Sequence, residues 1–408
     1  MEKKVKKVKK EKKQEPWAKA IKNWIIYAVV IITFVAVFMN DTTINTDIAV
    51  DDGEYATVMA NIDGIVEANP RLVDMAILAS HDSHSAGLDP KSPIDYYDRG
   101  QIVGKVAPIT RGLQYRFAKT QAVGLDVQLR QGTRLLHIKY TDFEGEWFAT
   151  HTLLSLKLEV YLKQVLEYLA TPEAQGEIVI LLLHPIYMGE GVNLDTFHHW
   201  LAGVECNGKN IYDYVHYGTT NVYDKDDAEG VRIGDLRYND LTQNGTKAGV
   251  VLFDRREEKL WKEDMEGTAT DEYMGKFFDM DSNATHKWHS RNGYNTMTKL
   301  IDEQANLIAE SDEWDNKLRM NQAQPAFSVG GIADVFVDLF SWNLKNHSIR
   351  YNAKIVEDEN FDKWLSIMPV FQVDFVNSDY GDFNNKVNAK ITAYNQKLVE
   401  DLLNGNQN

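Results

Sequence analysis

The stretch ILASHDSHSAGL, residues 77–88, sets two histidines and an aspartate into four positions directly after an apolar lead-in. His81 and Asp82 stand where the tip of a strand would place them. The pattern recurs down the chain. His137 and Lys139 come late in TRLLHIKY, His151 closes EWFATH, His184 closes EIVILLLH, Asp254 and Arg255 close GVVLFDR, and Asp374 sits in VFQVDFV. Four of the chain's eleven histidines therefore lie at the ends of apolar runs. Imidazoles titrate near neutral pH and can give or take a proton. A carboxylate inside an apolar run, as at Asp374, is costly to bury unless it is paired. The set suits proton transfer assisted by a cation. His84, His198, His199, His286 and His289 lack this setting and read as surface or loop residues.

Such side chains must be delivered by a sheet. Seven runs read as strands: 75–80, 133–140, 146–151, 177–184, 249–255, 325–330 and 370–376. They are continuously apolar, as expected for parallel strands buried on both faces. Helical stripes lie between them. One is Leu158, Tyr161, Leu162, Val165, Leu166 and Leu169; another is Val387, Ile391, Tyr394 and Leu398. Further helices are expected over 299–310 and 333–346. This alternation predicts an α/β fold, a TIM-type (β/α) barrel over 69–405 with insertions in 190–360. In such a barrel the catalytic groups sit at the C-terminal strand ends.

The 408-residue chain has a formal net charge of −16, distributed unevenly. Residues 1–22 hold ten Lys and three Glu, which leaves the remainder strongly acidic. An acidic body argues against nucleic acid as a partner. The basic tail has another explanation. Residues 24–39, WIIYAVVIITFVAVFM, carry no charge. A helix there rises roughly 24 Å, a turn short of a bilayer core, and Lys22 can extend it by snorkelling. The expected layout is a cytoplasmic tail (1–22), a single membrane span (23–40), a polar linker (41–68) and an extracytoplasmic barrel. A cleaved signal peptide is the alternative, although VFMNDTT lacks a small-residue cleavage site. The single cysteine, Cys206, excludes an internal disulfide and a cysteine-rich metal site.

The order of segments resembles the X domain of phosphatidylinositol-specific phospholipase C, most of all its metal-independent bacterial form. ILASHDSHSAGL is similar to that family's strand and G-T-H-D-S turn. QAVGLDVQLRQGTRLLHIKY resembles its Q…QL-x-x-G-x-R-x-x-D-I-R segment. FATHTLLSLKLEVYLKQVLEYL looks like the strand with the second histidine and the helix after it, and VFQVDFV like the late strand with a buried aspartate. The match covers roughly 70–185 and 365–400; between them only AGVVLFDR resembles the family.

The resemblance implies a membrane-anchored phosphoric diester hydrolase acting on a phosphoinositide or related phosphodiester. His81 would be the general base, with Asp374 orienting it. His151 would be the general acid, assisted by Asp82. Lys139 falls where the bacterial enzymes have an arginine on the phosphate, so a fixed cation would stand in for calcium and no metal or cofactor is implied. Arg255 lies near a ring-contacting arginine, and Asp271-Glu272-Tyr273 could supply a ring-stacking tyrosine. His137 and His184 are candidate substrate contacts. The physics agrees: cleavage by an internal hydroxyl needs one group to take a proton and one to give it, with a cation on the phosphorus-bound oxygens. Two departures bear on activity. His137 replaces an acidic residue, and Lys139 cannot grip two oxygens as a guanidinium does. Two other readings stay open: a metal-dependent phosphohydrolase built on His81-Asp82, and a non-catalytic barrel that binds a head group.

Overall fold

The structure, a computed structural model, describes residues 21–29, 54–98, 114–115, 118–190, 192–220, 230–255, 273–285, 294–325 and 344–405. Its strands are β1 (Ile77–Ser80), β2 (Thr133–Phe143), β3 (Glu146–His151), β4 (Leu153–Lys157), β5 (Ile178–Tyr187), β6 (Gly249–Asp254), β7 (Phe277–Asp279), β8 (Ala284–Thr285), β9 (Leu318–Gln322) and β10 (Val370–Val373). The principal helices are α1 (Leu125–Arg130), α2 (Leu158–Leu169), α3 (Leu194–Ala202), α4 (Tyr294–Ala309), α5 (Leu344–Val356), α6 (Phe361–Ile367) and α7 (Phe383–Leu403).

Every neighbouring pair along the order β7-β6-β5-β2-β1-β10-β9-β8 is parallel. This is the expected parallel α/β architecture. Side chains alternate between two cores. Ile77, Ala79, Leu135, Ile180, Leu182, Val251, Phe253, Met320 and Val370 fill the inner one. Leu136, Ile138, Leu181, Leu183, Val250 and Leu252 face outward and meet the buried stripe of α2, with Leu158, Tyr161, Leu162, Val165, Leu166 and Leu169. Burial of one such leucine contributes about 1.5–3 kcal/mol, so this seam holds helix to sheet.

Four features differ from the sequence expectation. First, β3 is not a barrel strand. It pairs antiparallel with the end of β2, Tyr140 opposite Ala149, and again with β4. The turn has Glu144 at φ 56° and Gly145 at φ 81°. Two successive positive φ values make the tight primed turn that folds a strand straight back.

Second, β7, β8 and β9 come from the region read as insertion, and their shortness hid them. Of the run 325–330 only Pro325 is described, outside any strand, and the first part of helix 333–346 also lies outside the described residues.

Third, residues 54–68 are not a free linker. Ala56, Met59, Ile62 and Ile65 are buried. Glu177 Oε1 accepts the backbone N–H groups of Val58, Met59 and Ala60 at 3.1, 2.8 and 2.9 Å. Its Oε2 accepts Arg134 Nε at 2.6 Å, and Arg134 also donates to the Ala56 carbonyl at 2.8 Å. Arg134 and Glu177 lie at the N-terminal ends of β2 and β5, so this segment closes the base of the sheet, opposite the end that carries His81 and Asp374.

Fourth, residues 21–29 form a helix with exposed side chains, and the rest of the expected span lies outside the described residues. Among the described residues no helix is long and apolar enough to cross a membrane.

Candidate active site

The period-2 alternation of the strands decides what reaches the inside. Continuing the inner row past each strand's core residues gives His81 after Ala79, His137 and Lys139 after Leu135, His184 after Leu182, Arg255 after Phe253, and Gln372 and Asp374 after Val370. His81, His137, Lys139, His184, Arg255 and Gln372 line one cavity of about 470 Å³. Asp254 has the opposite parity. It is buried on the outer side with the α3 residue His198, whose Nε2 lies 3.7 Å from its Oδ2.

Asp82 stands at the centre. It is fully buried in the left-handed conformation, φ 42°. Its Oδ2 lies 3.2 Å from His81 Nε2, 3.2 Å from His151 Nε2 and 3.0 Å from Lys139 Nζ. Its Oδ1 is 3.4 Å from His137 Nδ1. Burial alone would raise this carboxyl, but the charges of His151, His81, Lys139 and His137 outweigh it and hold the group well below the usual carboxylate range.

His81 and His151 each have the second nitrogen fixed. His81 Nδ1 meets Asp374 Oδ1 at 2.9 Å. Parallel pairing of β1 with β10, Ser80 opposite Val373, puts these two residues side by side. Asp374 is buried, which raises its carboxyl despite the His81 bond, and it accepts Ser348 Oγ at 3.3 Å from α5. His151 Nδ1 meets the Ala118 carbonyl at 2.7 Å. Burial lowers His151 to about 4, against the opposing pull of Asp82. His137 is likewise pushed well below its ordinary value by burial. Its Nε2 lies 3.4 Å from His184 Nδ1, and the two rings stack with centroids 5.7 Å apart.

The sequence-derived set therefore converges, with one exception. Tyr273 is not among the cavity residues. It packs on Tyr212 and His199, ring centroids 4.6 and 5.1 Å away. Asp271 and Glu272 lie outside the described residues. Arg255 lines the cavity, with Nε 3.9 Å from Asp281 Oδ1.

Two histidines read as surface or loop residues are fully buried. His198 stacks on Phe277, with centroids 4.0 Å apart. His84 Nε2 donates to the Thr150 carbonyl at 2.8 Å, tying the His81 turn to the strand that ends in His151. Burial lowers His84 to about 4, which keeps it neutral. His199 is exposed as expected, while His286 and His289 lie outside the described residues.

Other site residues were missed. Asp98 lines the cavity and accepts the Thr152 N–H, and Thr150 Oγ1 donates to Asp95 Oδ2 at 2.7 Å. These two carboxylates clamp the reversal after His151, where Thr152 has φ 64°. Nothing local marks them. Tyr97, Gln322 and Gln324 also line the cavity, with Gln372. Gln372 was legible from its alternation with Val370 and Asp374; Gln322 and Gln324 lie on and just after a strand that was not foreseen.

Ligand atoms of His81, Asp82 and His137 lie within 4.8 Å of one another, a spacing that a metal ion could use. Lys139 Nζ on the same Asp82 carboxylate already supplies a positive charge there.

No family model matches the chain, and no curated protein does. Among solved structures it is similar to phosphatidylinositol-specific phospholipase C from Listeria monocytogenes. The identity is 16%, the TM-score 0.52, and the likeness covers 84% of this chain and 98% of that one. It is similar also to the pentafluoro-Phe form of the Staphylococcus aureus phosphatidylinositol-specific phospholipase C. There the values are 15% identity, TM-score 0.53, and 83% and 97% coverage. At such identity the likeness establishes the fold.

Proposed function

We propose that this chain is a phosphodiesterase of the phospholipase C type, cleaving a phosphoinositide-like diester by attack of a neighbouring hydroxyl on phosphorus. One observation carries the reading. His81 Nε2 and His151 Nε2 each lie 3.2 Å from the same carboxylate oxygen of Asp82, with Lys139 Nζ 3.0 Å from it. Two imidazoles and a cation thus converge on one small volume beside a cavity.

The roles follow from the bonds. Asp374 fixes the His81 tautomer, so Nε2 is the atom that takes the hydroxyl proton. The hydroxyl oxygen bonds to phosphorus, and the bond from phosphorus to the diacylglycerol oxygen breaks. His151 Nε2 gives that leaving oxygen its proton. Lys139 stabilises the charge on the non-bridging oxygens. Burial pulls His151 down to about 4 against the raising charge of Asp82. The negative phosphate of a bound substrate adds to the pull of Asp82, so His151 takes its proton from solvent and holds it as the imidazolium until the leaving oxygen receives it.

The test is phosphorus NMR of the purified chain with phosphatidylinositol and a panel of glycerophosphodiesters. A cyclic inositol phosphate is the expected product. No turnover with retained binding favours the head-group-binding reading. Turnover lost in EDTA and restored by manganese or zinc favours a metal at His81, Asp82 and His137.

The tethering reading rests on the basic tail and the uncharged run 24–39. Protease added to intact cells should remove the barrel and leave the tail protected. A mature N-terminus after Asn40 replaces the anchor with a cleaved signal.

A further inference from the structure

The cavity and the place where the chain enters the barrel lie at opposite ends of one parallel sheet. Tyr55 bridges Gln131 just before β2, and the residues after it are locked to the strand bases. Glu177 Oε1 accepts three successive N–H groups, those of Val58, Met59 and Ala60. Tyr168 Oη donates to the Ala56 carbonyl at 2.7 Å, and Thr57 Oγ1 donates to the Glu173 carbonyl at 2.7 Å. Met59, Ile62 and Ile65 are buried in the inner core with Ile77 and Ile180. Releasing this segment would strip Glu177 of three donors and expose those apolar side chains, so the chain enters at a fixed place. The cavity opens at the other end, lined by His81, Lys139, His184 and Ile186. β5 begins beside Glu177 and carries Ile186 at the cavity, roughly 30 Å away at about 3.3 Å per residue.

The fixed entry limits what a tethered barrel can reach. Residues 41–54 separate the end of the expected span from the first anchored residue. A chain of that length reaches roughly 20 Å as a coil and at most about 50 Å drawn straight. With the base towards the bilayer, the coil length suffices. Turning the cavity onto the same bilayer would take the chain back along the barrel wall, on the order of 30 Å before any clearance. The chain would then have to be nearly straight, at the cost of its conformational freedom. We infer that the tether holds the cavity away from the bilayer that carries it, so that the diester is taken in trans, from solution or from a facing surface. The common requirement is a phosphodiester standing clear of the enzyme's own membrane. This rests on the phosphodiesterase and tethering readings above and adds the source of the substrate to them.

The experiment uses the full chain in phosphatidylcholine vesicles with the barrel outside. Phosphatidylinositol is placed either in those vesicles or only in separate, protein-free ones, and glycerophosphoinositol is supplied in solution. Release of inositol phosphates is followed by phosphorus NMR. A site able to reach its own bilayer would gain about 10²–10⁴-fold from the tether. The expected result is turnover in trans with no gain when the lipid shares the enzyme's vesicle. Cleavage of the soluble diester alone assigns the source to solution; cleavage of the separate vesicles as well assigns it to a facing surface. A Gly-Ser insertion between Val50 and Asp51 that roughly doubles the linker should raise own-vesicle turnover at least about 10-fold and leave the soluble diester unchanged. Faster cleavage of own-vesicle lipid by the wild type, or no gain from the insertion, overturns the inference and leaves the catalytic reading intact. A full chain that does not float with the vesicles overturns the tethering reading and this inference, again leaving the chemistry. No cleavage of either diester in any arrangement overturns the phosphodiesterase reading and the inference together.

Discussion

His81 and Asp374 are 293 residues apart in sequence and joined by a 2.9 Å bond between Nδ1 and Oδ1. The bond exists because β1 and β10 are neighbours in the sheet, and Asp374 follows β10 as His81 follows β1. It leaves Nε2 of His81 facing Asp82 and the cavity. If this contact sets the base, Asp374→Asn should keep the fold and lower turnover by about 10²–10⁴, because the amide holds the wrong tautomer. Steady-state kinetics beside a thermal melt separates that outcome from simple unfolding. Wild-type turnover in the variant removes Asp374 from the mechanism.

The two imidazoles on Asp82 make a sharper case. His81→Ala and His151→Ala should each lower turnover by about 10²–10⁴. Combining them should cost little more than the worse single change, since groups that act as a unit are not additive. Full additivity, measured by phosphorus NMR rates, means that the two act in separate steps.

Lys139 is the one Lys or Arg side chain paired with Asp82 among the described residues. Lys139→Arg should retain or raise activity, because a guanidinium grips phosphate oxygens better than an ammonium. Lys139→Met should reduce activity by at least about 10²-fold, the scale for one lost stabiliser of developing charge. EDTA should leave the wild type unaffected. A metal requirement in the wild type would contradict the assignment of Lys139.

His84 is a test of stability. It is fully buried with one bond to the Thr150 carbonyl. His84→Ala should cost about 2–4 kcal/mol in urea unfolding, from the cavity and the orphaned carbonyl. The pH dependence has a defined sign. His84 and His151 are both lowered to about 4 in the fold, from 6.5. The unfolded chain therefore takes up protons that the native state refuses. Stability is at its full value above pH 6.5 and falls as pH drops towards 4, by roughly 3 kcal/mol per histidine at the limit. His84→Gln should flatten that slope. An unchanged slope would show that His84 does not set it.

The base of the sheet offers a control far from the chemistry. Glu177→Gln leaves Arg134 buried without its 2.6 Å partner and weakens the hold on residues 58–60. Breaking a buried pair in this way costs about 3–5 kcal/mol. Turnover per folded molecule, measured at a temperature where the variant is native, should match wild type.

How much of this was legible in the sequence depends on range. Apolar runs bounded by ionisable residues marked β1, β2, β5, β6 and β10, because a strand buried on both faces leaves a continuous signal. Period 2 then decided that His81, His137, Lys139, His184, Arg255 and Asp374 share one side, while Asp254 takes the other. That parity is local and needs no knowledge of partners. Which strands lie side by side is a different matter. The run EWFATH has the composition of a barrel strand, yet the turn at Glu144 and Gly145 folds it back on β2. His151 therefore reaches Asp82 from a hairpin. The same limit explains His84, whose burial depends on β3 passing over it, and Tyr273, whose aromatic partners Tyr212 and His199 are distant in sequence. It explains Gln324 as well, since β9 carries little hydrophobic signal and is recognised only by its pairing with β10. Side-chain direction along a strand is set by backbone geometry within a few residues. The meeting of strands is set by long-range pairing, whose register no short window of residues contains.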